Sequence, residues 1–375
     1  MPAPSDILVI GGGIAGLSAA AALSERASVT VLEAEEQIGF HSSGRSATML
    51  HYALGDRLVR ALTLASRPFF DEPPATFGDV GHRMPVLVYA REDELGGLEE
   101  LDAEISRFVR LERLDAKAIH DLCPLLRVGP GGAVAGIADR NGIRIDPHAL
   151  LQGNLRRLRD RGGQLLTGQR VSAITRQEGA WEVVTGEGDR FSAPILVNAA
   201  GAWADVVAEL AGVRPIGLSP KRRTIITFDA PPGTRLDGLP FAKTVGDELY
   251  FAPESGRLFA SPMDEVPSDP CDAQPDEYEV ALAAHRMGER TIVKVARIHS
   301  KWAGLRTFTP DRHPAAGFAE EADGFFWLAG QGGFGLQTSP AMAAITVALI
   351  TGEQWSVNDV SAEALSPGRF FRQPA

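Results

Sequence analysis

Ile7-Leu-Val-Ile-Gly-Gly-Gly-Ile-Ala-Gly-Leu-Ser-Ala-Ala-Ala-Ala-Leu23, followed by Val29-Thr-Val-Leu-Glu33, decides the fold of this chain. The first stretch reads as a buried strand, a glycine turn and a helix, and the second as another strand that ends in an acid. Gly11, Gly13 and Gly16 have the G-x-G-x-x-G spacing. The first glycine permits the tight turn, the second lets the backbone approach a pyrophosphate, and the third lets the helix pack closely on the strand.

The elements around these glycines favour a dinucleotide-binding site over an ordinary glycine turn. The N-terminus of the helix offers N–H groups without intrahelical partners, and a positive dipole end, to a phosphate. Glu33 ends the second strand, where a carboxylate can accept hydrogen bonds from both hydroxyls of an adenosine ribose.

The composition is that of an ordinary globular protein and argues against several classes of function. The chain has 375 residues, of which 44% are hydrophobic and 23% charged, and this length suits two or three domains. A net charge of −11 argues against nucleic acid as a partner, because no basic surplus exists to neutralise phosphates. Two cysteines, Cys123 and Cys271, supply neither a disulfide framework nor a metal site. The first strand begins close to Met1, and the apolar run Ala341–Ile350 is too short to cross a bilayer, so we expect no signal peptide, no transmembrane segment and a cytoplasmic location.

Hydrophobic periodicity and breaker residues predict the other elements. Helices are expected over Arg57–Phe70, Glu94–His120 (as charged surface helices), His148–Arg161 and Ala202–Ala211. Strands are expected over Val86–Tyr89, Val171–Arg176, Trp181–Thr185, Arg190–Ala193, Ile195–Gly201, Lys221–Phe228, Glu248–Ala252 and Leu258–Ala260. The run Ile195–Gly201 is predicted to lie parallel to the first strand, whereas the last three strands belong to a second sheet that is mixed or antiparallel.

The stretch Gly324–Pro340 repeats the plan of strand, glycine turn and helix near the end of the chain. Segments from the start, middle and end of the sequence therefore contribute to one discontinuous, mostly parallel sheet of a Rossmann-like domain, with a substrate domain inserted between them. We expect the cofactor domain to contain residues 1–80, 146–214 and 304–375, and the substrate domain to contain residues 81–145 and 215–303.

The number of glycine fingerprints helps to choose between dinucleotides. Only one complete fingerprint is present, whereas an enzyme that passes electrons from a nicotinamide to a flavin usually has two. The C-terminal glycine turn can direct N–H donors and a helix dipole at the anionic N1–C2=O edge of a reduced flavin. A nicotinamide ring has no comparable need, so the sequence favours a flavin, with a purely structural turn as the alternative.

Five further segments resemble the D-amino-acid oxidase/glycine oxidase group of FAD-dependent oxidoreductases, most closely the bacterial D-arginine dehydrogenase subgroup. These segments are Gly39–Ala47, Leu196–Trp203, Ala211–Arg223, Trp302–Arg306 and Gly324–Gly335. The resemblance extends over the whole chain and implies a non-covalent FAD. It also implies oxidation of the Cα–N bond of a D-amino acid to an imine, which water hydrolyses to a 2-oxo acid and ammonia. In relatives with a covalent flavin the tethering histidine falls near Arg45, and arginine cannot form that bond.

The resemblance implies a set of site residues. The cofactor-binding positions are Gly11, Gly13, Ile14, Ala15, Gly16, Glu33, Ala34, Ser42, Ser43, Arg45, Ser46, Ala47, Val171, Ala200, Gly201, Trp203, Gly304, Gly332, Gly333, Phe334, Gly335, Leu336 and Gln337. Arg306 and Arg223 match two arginines that bind the substrate carboxylate, and Tyr250 matches a tyrosine that adds a hydroxyl. A guanidinium fork suits this task because it binds a carboxylate through two parallel hydrogen bonds. The alternatives are a structural ion pair for Arg306, Arg222 in place of Arg223, and a core position for Tyr250.

The predicted substrate pocket departs from that of the D-arginine subgroup. A glutamate that pairs with the substrate guanidinium there corresponds to Pro85 here, and Met49 and Leu54 stand in place of a lid histidine and tyrosine. A cationic side chain would then be buried without a partner, so we expect arginine and lysine to be poor substrates and apolar or small side chains to be preferred. His51, with Tyr52 beside it, is a candidate catalytic residue that contacts the substrate or takes the ammonium proton; the alternative is a solvent-facing lid histidine.

Other functions fit the same residues. The arginine pair also suits an N-methyl or cyclic amino acid, or a 2-hydroxy acid. The arginines bind the carboxylate and do not distinguish an amine from a hydroxyl group on the substrate. A flavin-binding module without catalysis is a third interpretation. The partners expected are a small-molecule substrate and an electron acceptor that the sequence does not identify.

Overall fold

The computed structural model of the protein describes residues 5–372. The α-helices in that range are α1 (Ile14–Leu23), α2 (Arg57–Asp71), α3 (Leu95–Ile105), α4 (Ala116–Leu122), α5 (Pro147–Asp160), α6 (Ala204–Leu210), α7 (Glu277–Arg290), α8 (Gly335–Thr351) and α9 (Ala362–Leu365). The β-strands are β1 (Ile7–Ile10), β2 (Val29–Leu32), β3 (Met49–Leu50), β4 (Gly81–Arg83), β5 (Val86–Ala90), β6 (Glu112–Asp115), β7 (Ala135–Asp139), β8 (Ile143–Ile145), β9 (Gln164–Leu166), β10 (Val171–Gln177), β11 (Ala180–Thr185), β12 (Arg190–Ala193), β13 (Ile195–Asn198), β14 (Ser219–Phe228), β15 (Phe241–Thr244), β16 (Tyr250–Glu254), β17 (Arg257–Ser261), β18 (Val266–Pro267), β19 (Ile298–Phe308), β20 (Ala315–Phe318) and β21 (Phe325–Ala329).

A six-stranded sheet, in the order β20-β21-β13-β1-β2-β9, joins segments from the start, middle and end of the chain. Its strands run parallel, except that β20 is antiparallel to β21. Every residue of β1, β2 and β21 is buried, because both faces of the sheet are covered. This explains why these strands are almost entirely apolar, with Thr30 of β2 as the exception. The predicted parallel pairing of β13 with β1 is confirmed, with Leu196 opposite Leu8.

Helices cover one face of this sheet, and a second, smaller sheet covers the other. Helices α1, α2, α5 and α8 pack together on the first face, where the fully buried alanines Ala19, Ala20 and Ala21 let neighbouring helices approach closely. The antiparallel sheet β10-β11-β12 and helix α6 pack on the opposite face. None of the helices formed by residues 5–372 combines the length and the apolar character needed to cross a membrane.

A nine-stranded sheet forms the second layer of the molecule, in the order β18-β14-β17-β16-β15-β5-β7-β6 with β19 also paired to β14. Its neighbouring strands are antiparallel, apart from the parallel pair of β15 and β5. One face packs on α4 and α7 around Phe228, Phe251 and Met287. The other face packs on Met49 of β3 and forms one wall of the site described below. The fold is therefore α/β with mixed sheets, as predicted.

One expectation from the sequence is wrong in detail. Glu94–His120 is not helical throughout, because Glu112–Asp115 forms the edge strand β6 along β7. Only Leu114 of that strand is buried, so its charged composition resembles that of a surface helix. The domain boundaries stay a prediction; the one expected at 303/304 lies within β19, which runs along β14 as far as Phe308.

Candidate active site

Four cavities, here called A to D, form a path from the first glycine turn to an open cleft. Their volumes are about 330 Å³ for A, 110 Å³ for B, 30 Å³ for C and 890 Å³ for D. Neighbouring cavities share lining residues. Cavities A and B share Gly13, Ser42, Ser43, Ala199 and Gly201, cavities B and C share Ser46, Gly333 and Leu336, and cavities C and D share Leu54, Lys243, Met263, Arg306 and Phe334. A long ligand can therefore occupy A and B and present one end to C, while a smaller molecule enters through D.

The first glycine turn brings two strands and a helix so close that side chains are excluded. Gly11 has φ +110°, and a Cβ atom there would lie 2.4 Å from the carbonyl oxygen of Ala199, just after β13. A Cβ atom at Gly16 would lie 1.9 Å from the carbonyl oxygen of Gly11. These contacts explain two of the three fingerprint glycines as structural requirements of the turn.

Glu33 lies at the end of β2 and lines cavity A. Its carboxylate accepts the N–H of Gly12 at 2.6 Å and the N–H of Glu35 at 2.9 Å. Burial raises the pKa of Glu33 above its ordinary value, although these two N–H groups oppose the rise. Hydroxyl donors from a ligand in cavity A would stabilise the charged form of this carboxylate further.

Cavity A also has an apolar rim that faces solvent. Phe40, Val206 and Leu210 line it and are among the most exposed large hydrophobic residues of the described chain, at 42%, 42% and 37%. His41 lies against Trp203 nearby, with ring centroids 4.6 Å apart. Clustered exposed apolar side chains around a cavity indicate a ligand with a flat apolar part, such as adenine.

Cavity B lies between the N-terminus of α1 and the C-terminal glycine turn. Gly13 is the N-cap of α1 and has no side chain to cap the helix, while Ser43 accepts the N–H of Ile14 at 2.9 Å. On the opposite wall Gly332, with φ +51°, donates its N–H to the carbonyl oxygen of Thr307 at 2.9 Å. The second glycine turn is thereby fixed to β19, the strand that carries Arg306.

Most of the predicted cofactor-binding residues line this path. Cavity A is lined by Gly11, Gly13, Glu33, Ala34, Ser42, Ser43, Val171, Ala200, Gly201 and Trp203. Cavity B adds Ile14, Ala15, Ser46, Gly332, Gly333, Gly335 and Leu336. Cavity C adds Ala47, Phe334 and Gln337.

Three predicted cofactor-binding residues line none of the four cavities. Gly16 packs behind Gly11. Arg45 forms an ion pair with Asp272 at 2.6 Å and donates hydrogen bonds to backbone carbonyl groups nearby. It also lies against Gly304, where an added Cβ atom would be 3.2 Å from the Cβ atom of Arg45. These residues hold the walls of the site together.

The register of the nine-stranded sheet brings the predicted substrate-binding residues to one face. Lys243 of β15 lies directly opposite Tyr250 of β16, and directly opposite residues share a face of the sheet. Tyr250 packs in one apolar cluster with Ile225, which lies two residues after Arg223 on β14 and so points the same way. Arg306 lines cavity C together with Tyr250 and Lys243. Arg223 lines the adjoining cleft D.

Arg306 carries a guanidinium that no carboxylate contacts directly among residues 5–372. Its side chain makes no hydrogen bond and no ion pair within that range, and it lies against Gly333, where a Cβ atom would be 2.3 Å from the Cζ atom of Arg306. Desolvation, and then the nearby guanidinium of Arg223, lowers the pKa of Arg306 to about 10, so it stays cationic at neutral pH. A half-buried cation without a direct protein partner in the described chain is suited to binding an anion.

Arg223 is more fully satisfied than Arg306. Its Nε donates to the carbonyl oxygen of Asp264 at 2.8 Å, and one terminal nitrogen lies 3.4 Å from Glu265. The other terminal nitrogen, Nη1, is buried without a partner. Arg222, the alternative, points the other way and lies 3.9 Å from both Asp276 and Glu279.

His51 is not the solvent-facing lid residue that the sequence left open. It is buried, at 4% exposure, lines cavity C, and lies against Phe241 with ring centroids 5.5 Å apart. Burial first, and then the charges of Lys243 and Arg306, lowers the pKa of His51 to about 3. The ring is therefore neutral at physiological pH and suited to accepting a hydrogen bond rather than to storing a proton.

This pKa predicts the pH dependence of turnover. We expect kcat to show no ionisation from His51 between about pH 5 and about pH 9, so His51→Gln should keep the same midpoints in the pH profile of kcat. A midpoint near neutral pH that is present in the native enzyme and absent from the variant would contradict this prediction.

Several residues of the site were not singled out by the sequence. Lys243, Met263 and Phe241 line cavity C, but the strand β15 that carries two of them was not predicted. Tyr52, the neighbour of His51, is buried at 5% exposure and lines none of the cavities. The sequence did contain a signal for Lys243. It is a single lysine in the short run Phe241–Thr244, and a lysine is rarely found in a buried strand unless it has a partner.

Comparisons with known proteins agree with this site. A family model described as FAD dependent oxidoreductase matches residues 6–349. The chain is 26% identical to FAD-dependent oxidoreductase domain-containing protein 1 of Bos taurus, over 99% of this chain and 85% of that protein. Its structure is similar to that of L-proline dehydrogenase from P. horikoshii, with TM-score 0.88 and 22% identity over 99% of both chains. It is also similar to glycine oxidase from Geobacillus kaustophilus, with TM-score 0.83 and 19% identity over 95% of this chain and 96% of that one. At these identities the two solved structures show the fold.

Proposed function

The chain belongs to the DAO family of FAD-dependent oxidoreductases, and on that premise we propose that it oxidises the Cα–N bond of a D-amino acid. The product is an imine, which water hydrolyses to a 2-oxo acid and ammonia. The observation that carries the proposal is the half-buried guanidinium of Arg306, which has no direct ionic partner among residues 5–372 and lines both cavity C and cleft D. The D-configuration is supported by the motif resemblance noted in the sequence.

The residues of cavities A and B fit FAD. Glu33 at the end of β2 suits the adenosine ribose, the exposed apolar rim suits adenine, and the turn at Gly11 and Gly13 leaves room for the diphosphate. Bound there, FAD supplies an acceptor for the hydride that leaves the substrate Cα atom. The proposal includes non-covalent binding of FAD. In relatives with a covalent flavin the tethering histidine falls near Arg45, and here Arg45 instead forms an ion pair with Asp272.

The protein residues at cavity C would position the substrate rather than react with it. The guanidinium of Arg306 binds the α-carboxylate, with the hydroxyl of Tyr250 on the same wall of the cavity. The neutral ring of His51 can accept a hydrogen bond from the substrate amine. Because hydride transfer needs a fixed distance and angle, this positioning supplies much of the rate.

Cleft D supports the expectation that a cationic substrate is disfavoured. Five carboxylates line it, and each already pairs with a basic side chain of the protein. The pairs are Asp56 with His313, Glu94 with Arg290, Asp247 with Lys243, Glu265 with Arg312, and Asp311 with Arg369. A substrate guanidinium would have to displace one of these basic groups, so we do not extend the likeness to the D-arginine dehydrogenase subgroup to its substrate.

The proposed function is tested by the rate of flavin reduction under anaerobic conditions. The panel should contain D- and L-amino acids, N-methyl and cyclic amino acids, and 2-hydroxy acids, with ammonia measured after turnover. We expect D-amino acids without a cationic side chain to reduce the flavin fastest, with one ammonia released per flavin reduced. Fast reduction by 2-hydroxy acids alone, without ammonia, would assign the enzyme to alcohol oxidation instead. Reduction by L-amino acids alone would overturn the proposed configuration.

The pKa of Glu33 predicts how FAD affinity depends on pH. Because burial raises this pKa, the carboxylate that accepts the ribose hydroxyls becomes protonated at a higher pH than usual. FAD should therefore bind more tightly as the pH rises through the pKa of Glu33. Glu33→Gln should raise the Kd for FAD by about ten- to a hundredfold and remove the pH dependence.

Titration of the apoprotein with FAD, followed by fluorescence, measures both effects. Glu36→Gln is the matched control, because Glu36 is exposed, close in sequence and outside cavity A. A Glu33→Gln variant that binds FAD like the native protein at every pH would remove Glu33 from the cofactor site.

A further inference from the structure

We propose that Lys243 binds a second anionic group of the substrate, so that the enzyme prefers an amino or imino dicarboxylate. The inference rests on the proposed function, since it places the α-carboxylate on Arg306. It replaces the expectation, drawn from the sequence, that small or apolar side chains are preferred.

Lys243 is a buried cation in an apolar strand. Its exposure is 4%, and the other residues of β15 are also buried. It shares a sheet face with Tyr250, its direct neighbour across β15 and β16. It lines both cavity C and cleft D, and thus stands where a substrate held by Arg306 extends towards the cleft. Burying an ammonium group is costly unless an anion neutralises it.

The partner of Lys243 in the protein is readily displaced. Nζ forms an ion pair with Asp247, whose side chain is 66% exposed. Asp247 lies in the turn between β15 and β16, at φ +56°. An exposed carboxylate on a turn contributes little to an ion pair, because water and salt screen it. A carboxylate of the substrate, arriving at the buried ammonium group of Lys243, competes on favourable terms with Asp247.

The charges around cavity C favour an anion with two negative groups. Arg306 and Lys243 both line the cavity, and none of its lining residues is an aspartate or a glutamate. In the adjoining cleft, which also holds carboxylates, Arg223 pairs with Glu265 through one terminal nitrogen, and its Nη1 is buried without a partner among residues 5–372. The two cations of cavity C itself contrast with the net charge of −11 of the whole chain. The α-carboxylate of the substrate neutralises Arg306, and Lys243 then remains available to bind a second acidic group of the same substrate.

Equilibrium binding of unreactive acids tests the assignment without turnover. Malonate, succinate and glutarate, and the monocarboxylates propionate and butyrate as comparisons, are titrated into the FAD-loaded enzyme while the flavin absorbance is recorded. We expect at least one dicarboxylate to bind about 30-fold more tightly than either monocarboxylate. Lys243→Met should abolish this preference and Lys243→Arg should retain much of it. Lys117→Met, at an exposed lysine distant from the cavities, should leave it unchanged.

Two further variants keep the test decisive if Lys243→Met fails to fold. Asp247→Asn removes the competing carboxylate and should tighten dicarboxylate binding several-fold, whereas a purely structural ion pair predicts no change or a loss. Lys243→Glu should lower kcat/KM for amino dicarboxylates relative to neutral amino acids by about 100-fold or more. Equal binding of mono- and dicarboxylates by the native enzyme, or equal losses for both in the Lys243 variants, would overturn the inference.

The two proposals can fail separately. If neutral amino acids reduce the flavin and dicarboxylates show no preference, the proposed function stands and the role of Lys243 falls. If dicarboxylates bind through Lys243 but no amino or imino acid reduces the flavin, the binding site stands and the proposed reaction falls.

Discussion

Replacing Arg306 by methionine should lower kcat/KM for the best amino-acid substrate by about a thousandfold. The guanidinium lies against Gly333 and has no acceptor among residues 5–372, so the substrate carboxylate would be its ionic partner. Removing one member of a buried ion pair leaves the other without compensation, which commonly costs about 3–5 kcal/mol. The loss is measured as the rate of anaerobic flavin reduction over a range of substrate concentrations.

Two companion variants separate charge from geometry. Arg306→Lys retains a positive charge but loses the planar fork, and should recover only part of the lost rate. Arg110→Met removes an exposed arginine outside the four cavities and should have native kinetics. If Arg306→Met keeps native affinity and rate, the carboxylate is bound elsewhere and the proposed substrate orientation is wrong.

Replacing Gly13 by valine should give a folded but colourless protein. A Cβ atom at Gly13 would meet only the Oγ atom of Ser43, at 3.3 Å, and the backbone there is extended, with φ −77°. The fold therefore tolerates the change better than it would at Gly11 or Gly16. The new side chain would project into cavities A and B, which share Gly13, and would occupy the space of the FAD diphosphate. We expect the Kd for FAD to rise at least about a hundredfold.

The flavin content of purified protein and its thermal unfolding measure the two halves of this prediction. Gly96→Val is the control, because Gly96 is exposed on α3 and has no atom within 4 Å of an added Cβ. A yellow Gly13→Val protein with native FAD affinity would show that the diphosphate does not pass this turn. Loss of the folded state in Gly13→Val alone would mean that the glycine is needed for the fold.

The glycine fingerprint could be recognised from the sequence because local chemistry determines it. Gly11 needs a positive φ, Gly16 needs contact with the Gly11 carbonyl, and β1 and β2 must be largely apolar because both faces are buried. The parallel pairing of β13 follows from the same rule, since a largely apolar run needs a sheet that is covered on both faces. The glycine positions depend on residues that are close in the sequence, and the pairing of β13 depends on a sheet arrangement that has few structural alternatives.

The substrate side of the site was less visible, because it depends on register between distant strands. Lys243 reaches cavity C only because β15 pairs with both β5 and β16, and these pairings join segments far apart in sequence. His51 is buried by Phe241 and by the helix that carries Gln337, and neither contact is visible in the sequence next to it. Tertiary contacts of this kind have no local signature.

The position of β21 has a consequence for the synthesis of this protein. The first glycine turn is synthesised well before β21 and α8, but β13 gains its outer neighbour, and α1 gains its covering helix, only from these later elements. The nascent chain therefore cannot close the flavin-binding sheet before β21 and α8 have left the ribosome. We expect cofactor capture to wait for these two elements, and shortened chains that end before β21 to emerge without flavin.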